Sequence, residues 1–520
     1  PACTGNWTAI LEPTVGTDYT VTASCTGCDA SITLQRVAFG DVWYCSGQSN
    51  MALPLEHTFG RNESEARIKA GHYAQLRISG MKGNMNPEQP WSTLKAAVQA
   101  GTFLSFSSTC YYFGERLSDN LGEDHPIGLI HTAWGGSRIE QWMERSTIKK
   151  CKKATIDDSN QEWWDTRVLP YSRMTLKGFV WYQGENNMHA LFGNSLLGSG
   201  YSCLMVHLVA EWRKLWSTTP GTTDPMAPFG LVTLAPTGGE GGNDIGTMRW
   251  AQTGGYGVLP NPAMPNTFLA QAYDLNDPFA NITCYKNKCC NKDYDRQPGH
   301  CGGCEAYCAS SETTKFFMGP IHPRDKRPVG DRLADAASSI AYGLHDVHTG
   351  PTLSGCRLNK DNTLTITFNA SLLGQGGEVE WRKYQPGASK LHVLVNKKLW
   401  CMQTTGGKKD EECIDNGNGK DIGTGAFDDP TTWVAVDFVK PRKGGGNTVT
   451  ADLSNAHGQV YGVRYAWQGS CCSENAPTSD PCPIASCPLM SKPDNLPANP
   501  FMAKIVNGKC ECLAPQVCDE

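Results

Sequence analysis

The sequence predicts a three-layer α/β/α domain flanked by smaller β regions, and three observations carry that expectation. Between Gly40 and about His345, short apolar runs of strand length alternate with amphipathic stretches of helix length, the pattern of a parallel sheet covered on both faces. Several of those strands run straight into loops rich in Gly and polar residues. On either side of this region the periodicity shortens to two, with Gly, Asn and Lys at the turns, which is the pattern of antiparallel β structure. At 520 residues the chain is long enough for more than one domain.

In order along the chain, residues 1–39 alternate apolar and polar side chains, as in Tyr19-Thr20-Val21-Thr22 and Ile32-Thr33-Leu34. They read as a partial N-terminal β region, too short to close a sandwich, whose strand partners lie upstream of Pro1 or elsewhere in the chain. The α/β domain, 40–345, opens with Val42-Trp43-Tyr44 as the end of a buried strand. It continues with a helix over 109–117, a strand over 126–131, a strand over 176–182, an amphipathic helix over 201–216, strands over 229–234 and 267–273, and a closing helix over 331–342. A Cys-, Lys-, Asn- and Gly-rich stretch without periodicity, 279–317, reads as a disulfide-stapled surface insertion. Residues 346–470 read as a β-sandwich, built from runs such as Leu364-Thr365-Ile366-Thr367-Phe368 and Leu391-His392-Val393-Leu394-Val395. Residues 471–520 read as a Pro- and Cys-rich tail pinned by disulfides.

Composition narrows the function classes. Lys and Arg total 46 against 51 Asp and Glu, a net charge of −5, which gives no electrostatic reason to expect nucleic acid or an anionic membrane surface as partner. No run of 18 apolar residues is present, so no membrane-spanning helix is expected. Twenty-three cysteines, with sequons at Asn6, Asn62, Asn281 and Asn369, point to an oxidising compartment: a secreted, extracellular or lysosomal protein. Cys25-x-x-Cys28 and Cys301-x-x-Cys304 have the spacing of a zinc knuckle, but in such a compartment disulfides are the better reading. The odd count leaves one thiol free or paired with another chain.

The chemistry centres on Cys45-Ser46-Gly47-Gln48-Ser49-Asn50-Met51. Gly47 permits a tight turn. Ser49 then falls between a strand end and a helix start, with its hydroxyl exposed and its N–H where an oxyanion forms. A lone Gly-Gln-Ser is more often an ordinary turn. Three further loops change that balance, because in open α/β sheets the loops beyond the carboxyl ends of strands converge. These are Trp134-Gly135-Gly136-Ser137, Gln183-Gly184-Glu185-Asn186-Asn187 and the loop starting at Asp274. His322, held between Pro320 and Pro323 just before the closing helix, is a candidate general base; a lone histidine is otherwise structural or solvated.

Together these stretches resemble the sialic acid O-acetylesterase family, a branch of the SGNH/GDSL hydrolases, in its animal-type secreted or lysosomal form. The resemblance rests on Gly40-Asp41-Val42-Trp43…Gly47-Gln48-Ser49-Asn50-Met51, Pro126-Ile127-Gly128-Leu129-Ile130, Val180-Trp181-Tyr182-Gln183-Gly184-Glu185, Arg249-Trp250…Gln252-Thr253, Ile321-His322-Pro323-Arg324-Asp325-Lys326 and Val463-Arg464-Tyr465-Ala466-Trp467. It implies Ser49 as nucleophile and His322 as base. It implies an oxyanion hole from the Ser49 N–H, the Gly135–Gly136 pair and the Gln183 side chain, with Glu185 and Asn187 as further candidates for holding substrate. Many such hydrolases carry an aspartate three residues before the histidine; here that position is Gly319. Asp274 or Asp277 is the expected replacement, Asp274 the more so because it follows its strand directly; a Ser49–His322 dyad braced by a backbone carbonyl is the alternative.

These readings converge on an esterase that removes O-acetyl groups from a glycan or sialic acid, with no metal or organic cofactor. An acetylxylan- or pectin-type esterase, and an extracellular binding protein that kept the hydrolase shape, are the alternatives. Three expectations about geometry follow: Ser49 and His322 within hydrogen-bond reach, Cys45 bonded to Cys110, and the insertion cysteines paired among themselves.

Overall fold

The computed structural model describes residues 9–12, 14–27, 30–80, 88–151, 160–188, 200–235, 245–275, 282–285, 288–291, 321–382, 391–395, 433–439, 446–467 and 488–512. Asp277, Gly319 and the side chains of the insertion cysteines lie outside these residues. Within the insertion, Ile282–Tyr285 and Lys288–Asn291 form an antiparallel hairpin.

The N-terminal hairpin pairs β1 (Gly16–Ser24) with β2 (Ser31–Phe39) in a sheet of its own. The α/β sheet contains β3 (Asp41–Gly47), β4 (Leu76–Gly80), β5 (Gln89–Thr93), β6 (Ile127–His131), β7 (Gly178–Tyr182), β8 (Phe229–Val232) and β9 (Thr267–Ala270), in the order β5-β4-β6-β3-β7-β8-β9. All neighbours are parallel except the edge pair β4–β5. The chain starts in the centre at β3, adds strands on one side and then on the other. The direction of winding therefore reverses beside β3, and the crevice at such a reversal is where α/β sheets bind ligands.

The two faces of β3 show why the strand is apolar throughout. Trp43 and Cys45 point into one core with Val180, Phe268 and the helices Ser108–Leu121 and Arg327–Tyr342, while Tyr44 points into the other with Ile130, Phe179 and the helix Gly200–Trp216. A strand buried on both faces needs no polar alternation. Cys45 and Cys110 are disulfide-bonded, as expected, and so are Cys151–Cys203 and Cys356–Cys510.

Glu378–Trp381 and Leu489–Lys492 pair in a two-stranded sheet of their own, while eight further strands form one antiparallel sheet, in the order Trp433–Val436, Leu391–Leu394, Gly462–Tyr465, Phe501–Val506, Lys509–Cys512, Leu353–Leu358, Thr363–Phe368 and Thr448–Asp452. Its two edges meet through a bridge between Phe438 and Ala451, so the sheet curls around its own core. The expected tail is corrected in part: Phe501–Val506 and Lys509–Cys512 are interior strands of this sheet, and Phe501, Ala503 and Ile505 of the first belong to its core. The curled sheet packs directly on the α/β layers. A Cβ on Gly246 would lie 2.1 Å from Trp467 O, and Gln271 Nε2 donates to Asn499 Oδ1 at 2.8 Å. Among the described residues, no helix is long and apolar enough to cross a membrane.

Candidate active site

Parallel register brings three strand ends level at the winding reversal: Cys45 lies beside His131 of β6 and Gly47 beside Tyr182 of β7. Gly47 has φ +136°, and a Cβ there would sit 2.1 Å from Tyr182 O, so no other residue fits. Gln48 N then donates to Tyr182 O at 2.9 Å, and a single helical turn, Ser49–Ala52, begins. The start of the Ser108–Leu121 helix supports that turn from behind. Ser107 Oγ donates to Met51 O at 2.6 Å, Ser108 Oγ to Leu53 O at 2.7 Å and Thr109 Oγ1 to Asn50 O at 3.1 Å.

Ser49 Oγ lies 2.7 Å from His322 Nε2, the reach expected from their loops although 273 residues separate them. Ser49 is 5 % exposed and His322 7 %, so the pair is largely shielded from bulk water. The Gly135–Gly136 loop runs alongside: Trp134 N donates to Gly47 O at 3.0 Å, and Asn186 Nδ2 to Gly136 O at 2.6 Å. Gly135 is half-buried and Gly136 exposed. Trp134 stacks on Trp163 with ring centroids 4.5 Å apart, and the Arg167 guanidinium lies over the Trp134 ring at 4.7 Å, giving this loop a stiff aromatic wall.

Four of the expected site residues are engaged with the protein itself. The Gln183 side chain is fully buried, and its Nε2 faces Gln48 Oε1 at 3.0 Å, Ser137 O at 3.1 Å and Asn187 Oδ1 at 2.7 Å. An amide has two N–H donors, so this one is committed to protein acceptors; its Oε1 is in turn held by Tyr201 OH at 2.7 Å. Glu185 and Asn187 are likewise buried framework: Glu185 Oε1 accepts from Asn50 Nδ2, and Asn187 Oδ1 also accepts from Ile139 N at 3.0 Å. Asp274 does not hold His322. Its two carboxylate oxygens accept from Arg332 of the closing helix, each at 2.7 Å, because a guanidinium matches a carboxylate fork-to-fork. Asp274 is nevertheless at the expected sheet edge, where the pair fastens the helix that follows His322.

Two buried residues complete the site, and sequence reasoning gave them no role. Asn50, directly after Ser49, donates through Nδ2 to Glu185 Oε1 and to Ile321 O at 2.8 Å. Lys326, four residues after His322, donates through Nζ to Asn50 Oδ1 at 2.6 Å and to Pro323 O at 2.7 Å. The available signal was their place inside the Ser49 and His322 motifs. Other histidines nearby are held neutral: burial pushes His131 down to about 3, and burial with Arg61 and Arg324 pushes His57 down to about 4. Cys151, Cys203 and His207 are the one cluster of potential metal ligands among the described residues, and its two sulfurs are joined in a disulfide.

Residues 39–218 match the family described as carbohydrate esterase, sialic acid-specific acetylesterase, and residues 411–505 match the sialate O-acetylesterase C-terminal domain. Human sialate O-acetylesterase is 29% identical over 532 residues, covering 96% of this chain and 82% of that protein. The chain belongs to the sialic acid O-acetylesterase family. The mouse family member is 28% identical over 555 residues, covering 96% of this chain and 84% of its own. A crystal structure of a carbohydrate acetylesterase from Xanthomonas citri superposes with a TM-score of 0.58 at 21% identity, over 91% of this chain and 82% of that one, which shows a shared fold. Within this acetylesterase family member the 39–218 match contains Ser49, Gly135 and Gly136, while His322 lies beyond both matched stretches. Folding alone sets it against Ser49.

Proposed function

We propose that this esterase removes O-acetyl groups from sialic acids by serine acyl transfer, with Ser49 as nucleophile and His322 as general base. The observation that carries the reading is the 2.7 Å contact between Ser49 Oγ and His322 Nε2 at the winding reversal of the sheet. His322 Nε2 takes the Ser49 proton as Oγ attacks the acetyl carbon. The tetrahedral oxyanion is held by the Ser49 N–H and by an N–H of the Gly135–Gly136 loop, donors typically worth about 3 kcal/mol each in the transition state. His322 returns the proton to the departing sugar hydroxyl. It then activates water to release acetate from the acyl-enzyme. The substrate class follows the names of the human and mouse relatives, both sialate O-acetylesterases. Three disulfides among the described residues favour action in a secreted or lysosomal compartment.

The test is acetate release from an O-acetylated sialic acid and from a chromogenic acetate ester. Ser49→Ala and His322→Ala are each expected to lower kcat by at least about 10³-fold. A Ser49→Ala enzyme that still turns over at the parent rate contradicts the proposal.

A further inference from the structure

A general-base histidine has to be held in one orientation, or its reactive nitrogen spends its time elsewhere. Asp274 does not do this, since it is engaged by Arg332. A different device occupies the space between the two loops. The peptide carbonyls on either side of His322 are both tied down: Ile321 O by Asn50 Nδ2 at 2.8 Å and Pro323 O by Lys326 Nζ at 2.7 Å. The two donors are joined to each other, Lys326 Nζ to Asn50 Oδ1 at 2.6 Å, and Glu185 Oε1 anchors Asn50 from the β7 side. The Lys326 ammonium also lies 5.7 Å from the centre of the Tyr182 ring, at the end of the strand beside β3.

Asn50 is the residue after Ser49, so the clamp runs from the nucleophile's own turn to both flanks of the base. Asn50 and Lys326 are 0 % exposed and Glu185 1 %. Completely burying an ammonium is costly unless hydrogen bonds compensate, and an apolar chain of the same length fills such a space at no electrostatic cost. A charge kept there is therefore doing something that packing does not require. We propose that Lys326 and Asn50 are positioning residues of the acyl-transfer reaction: they fix the His322 backbone relative to Ser49. The inference rests on the Ser49–His322 reading above.

The experiment uses Lys326→Met and Asn50→Ala, with Ser49→Ala and His322→Ala run beside them. Reactive Ser49 is titrated to completion with a fluorophosphonate, so that kcat is expressed per intact site. A misplacement on the scale of an ångström costs about 10²-fold, and that is the loss of kcat expected in Lys326→Met and Asn50→Ala, with KM changed less than about threefold. Because both act through one clamp, the double variant is expected to lose little more than the worse single variant. A kcat per titrated site within about threefold of the parent in both single variants overturns the proposal, as does failure of both to fold, which would make the clamp a requirement of stability instead. If Ser49→Ala and His322→Ala keep parent activity, it is the acyl-transfer reading that fails.

Discussion

The loop that carries Ser49 and the loop that carries His322 meet across 2.7 Å, yet they are fixed in opposite ways. The Ser49 turn is held by a backbone constraint and by the adjoining helix start. Gly47 alone tolerates the contact with Tyr182 O, Cys45 is stapled to Cys110 immediately behind, and three hydroxyls at one helix start hold its carbonyls. The His322 loop borrows its position from distant chain: Asn50 lies 271 residues before Ile321 and 276 before Lys326, and it binds both. A glycine turn braced on the next helix therefore specifies the nucleophile, and buried polar contacts across the whole domain specify the base. Substitutions should separate the two.

The largest effect is expected at the glycine turn. Gly47→Ala forces a Cβ into a backbone carbonyl at 2.1 Å, and neither strand can yield without breaking the sheet. Acetate release should fall to background, either through loss of folded protein or through a displaced Ser49. Parent-like turnover from Gly47→Ala would show that the glycine does not specify the turn.

Asp274→Asn sharpens the other side. It leaves Arg332 buried against a neutral amide, and breaking a buried pair from one side typically costs about 3–5 kcal/mol. Thermal unfolding should move down accordingly, while kcat per titrated site stays within about threefold of the parent. A fall of kcat by orders of magnitude with an unchanged melting temperature would instead make Asp274 part of the base machinery.

The smallest effect is one of pH. Burial pushes the Asp331 carboxyl, on the closing helix, up to about 7 against the pull of Arg327 and Arg116. The folded chain then keeps a proton that the unfolded chain gives up near pH 4, so this group's contribution is present at low pH and is lost as pH rises toward 7. Asp331→Asn stays neutral throughout. Its melting temperature should match the parent near pH 4 and exceed it by a few degrees near pH 8. An equal melting temperature at both would show that Asp331 is no strain on this helix.

How much of this was legible in the sequence follows the same division. The alternation of strands and helices, the Ser49 turn and the Cys45–Cys110 bond could be read because they rest on periodicity, on a glycine, and on two cysteines that flank the Ser49 strand and the next helix. That His322 would meet Ser49 was readable only because both motifs end at the same sheet edge. What could not be read was the pairing of buried polar groups. Asp274 emerges at the right edge, but sequence does not say that Arg332, one turn into the closing helix, faces it. Gln183 looked like a free amide because its three acceptors, from Gln48, Ser137 and Asn187, come from three different loops. Phe501–Val506 and Lys509–Cys512 were hidden by the Cys- and Pro-rich composition around them, though their apolar alternation was present.

The central claim is that Ser49, activated by His322, forms the covalent intermediate. Reaction with a fluorophosphonate followed by peptide mass mapping tests it most directly. One adduct per chain is expected, on the peptide containing Ser49, forming at least about 10³-fold more slowly in His322→Ala. An adduct on another residue, or an undiminished rate at Ser49 without His322, would contradict it.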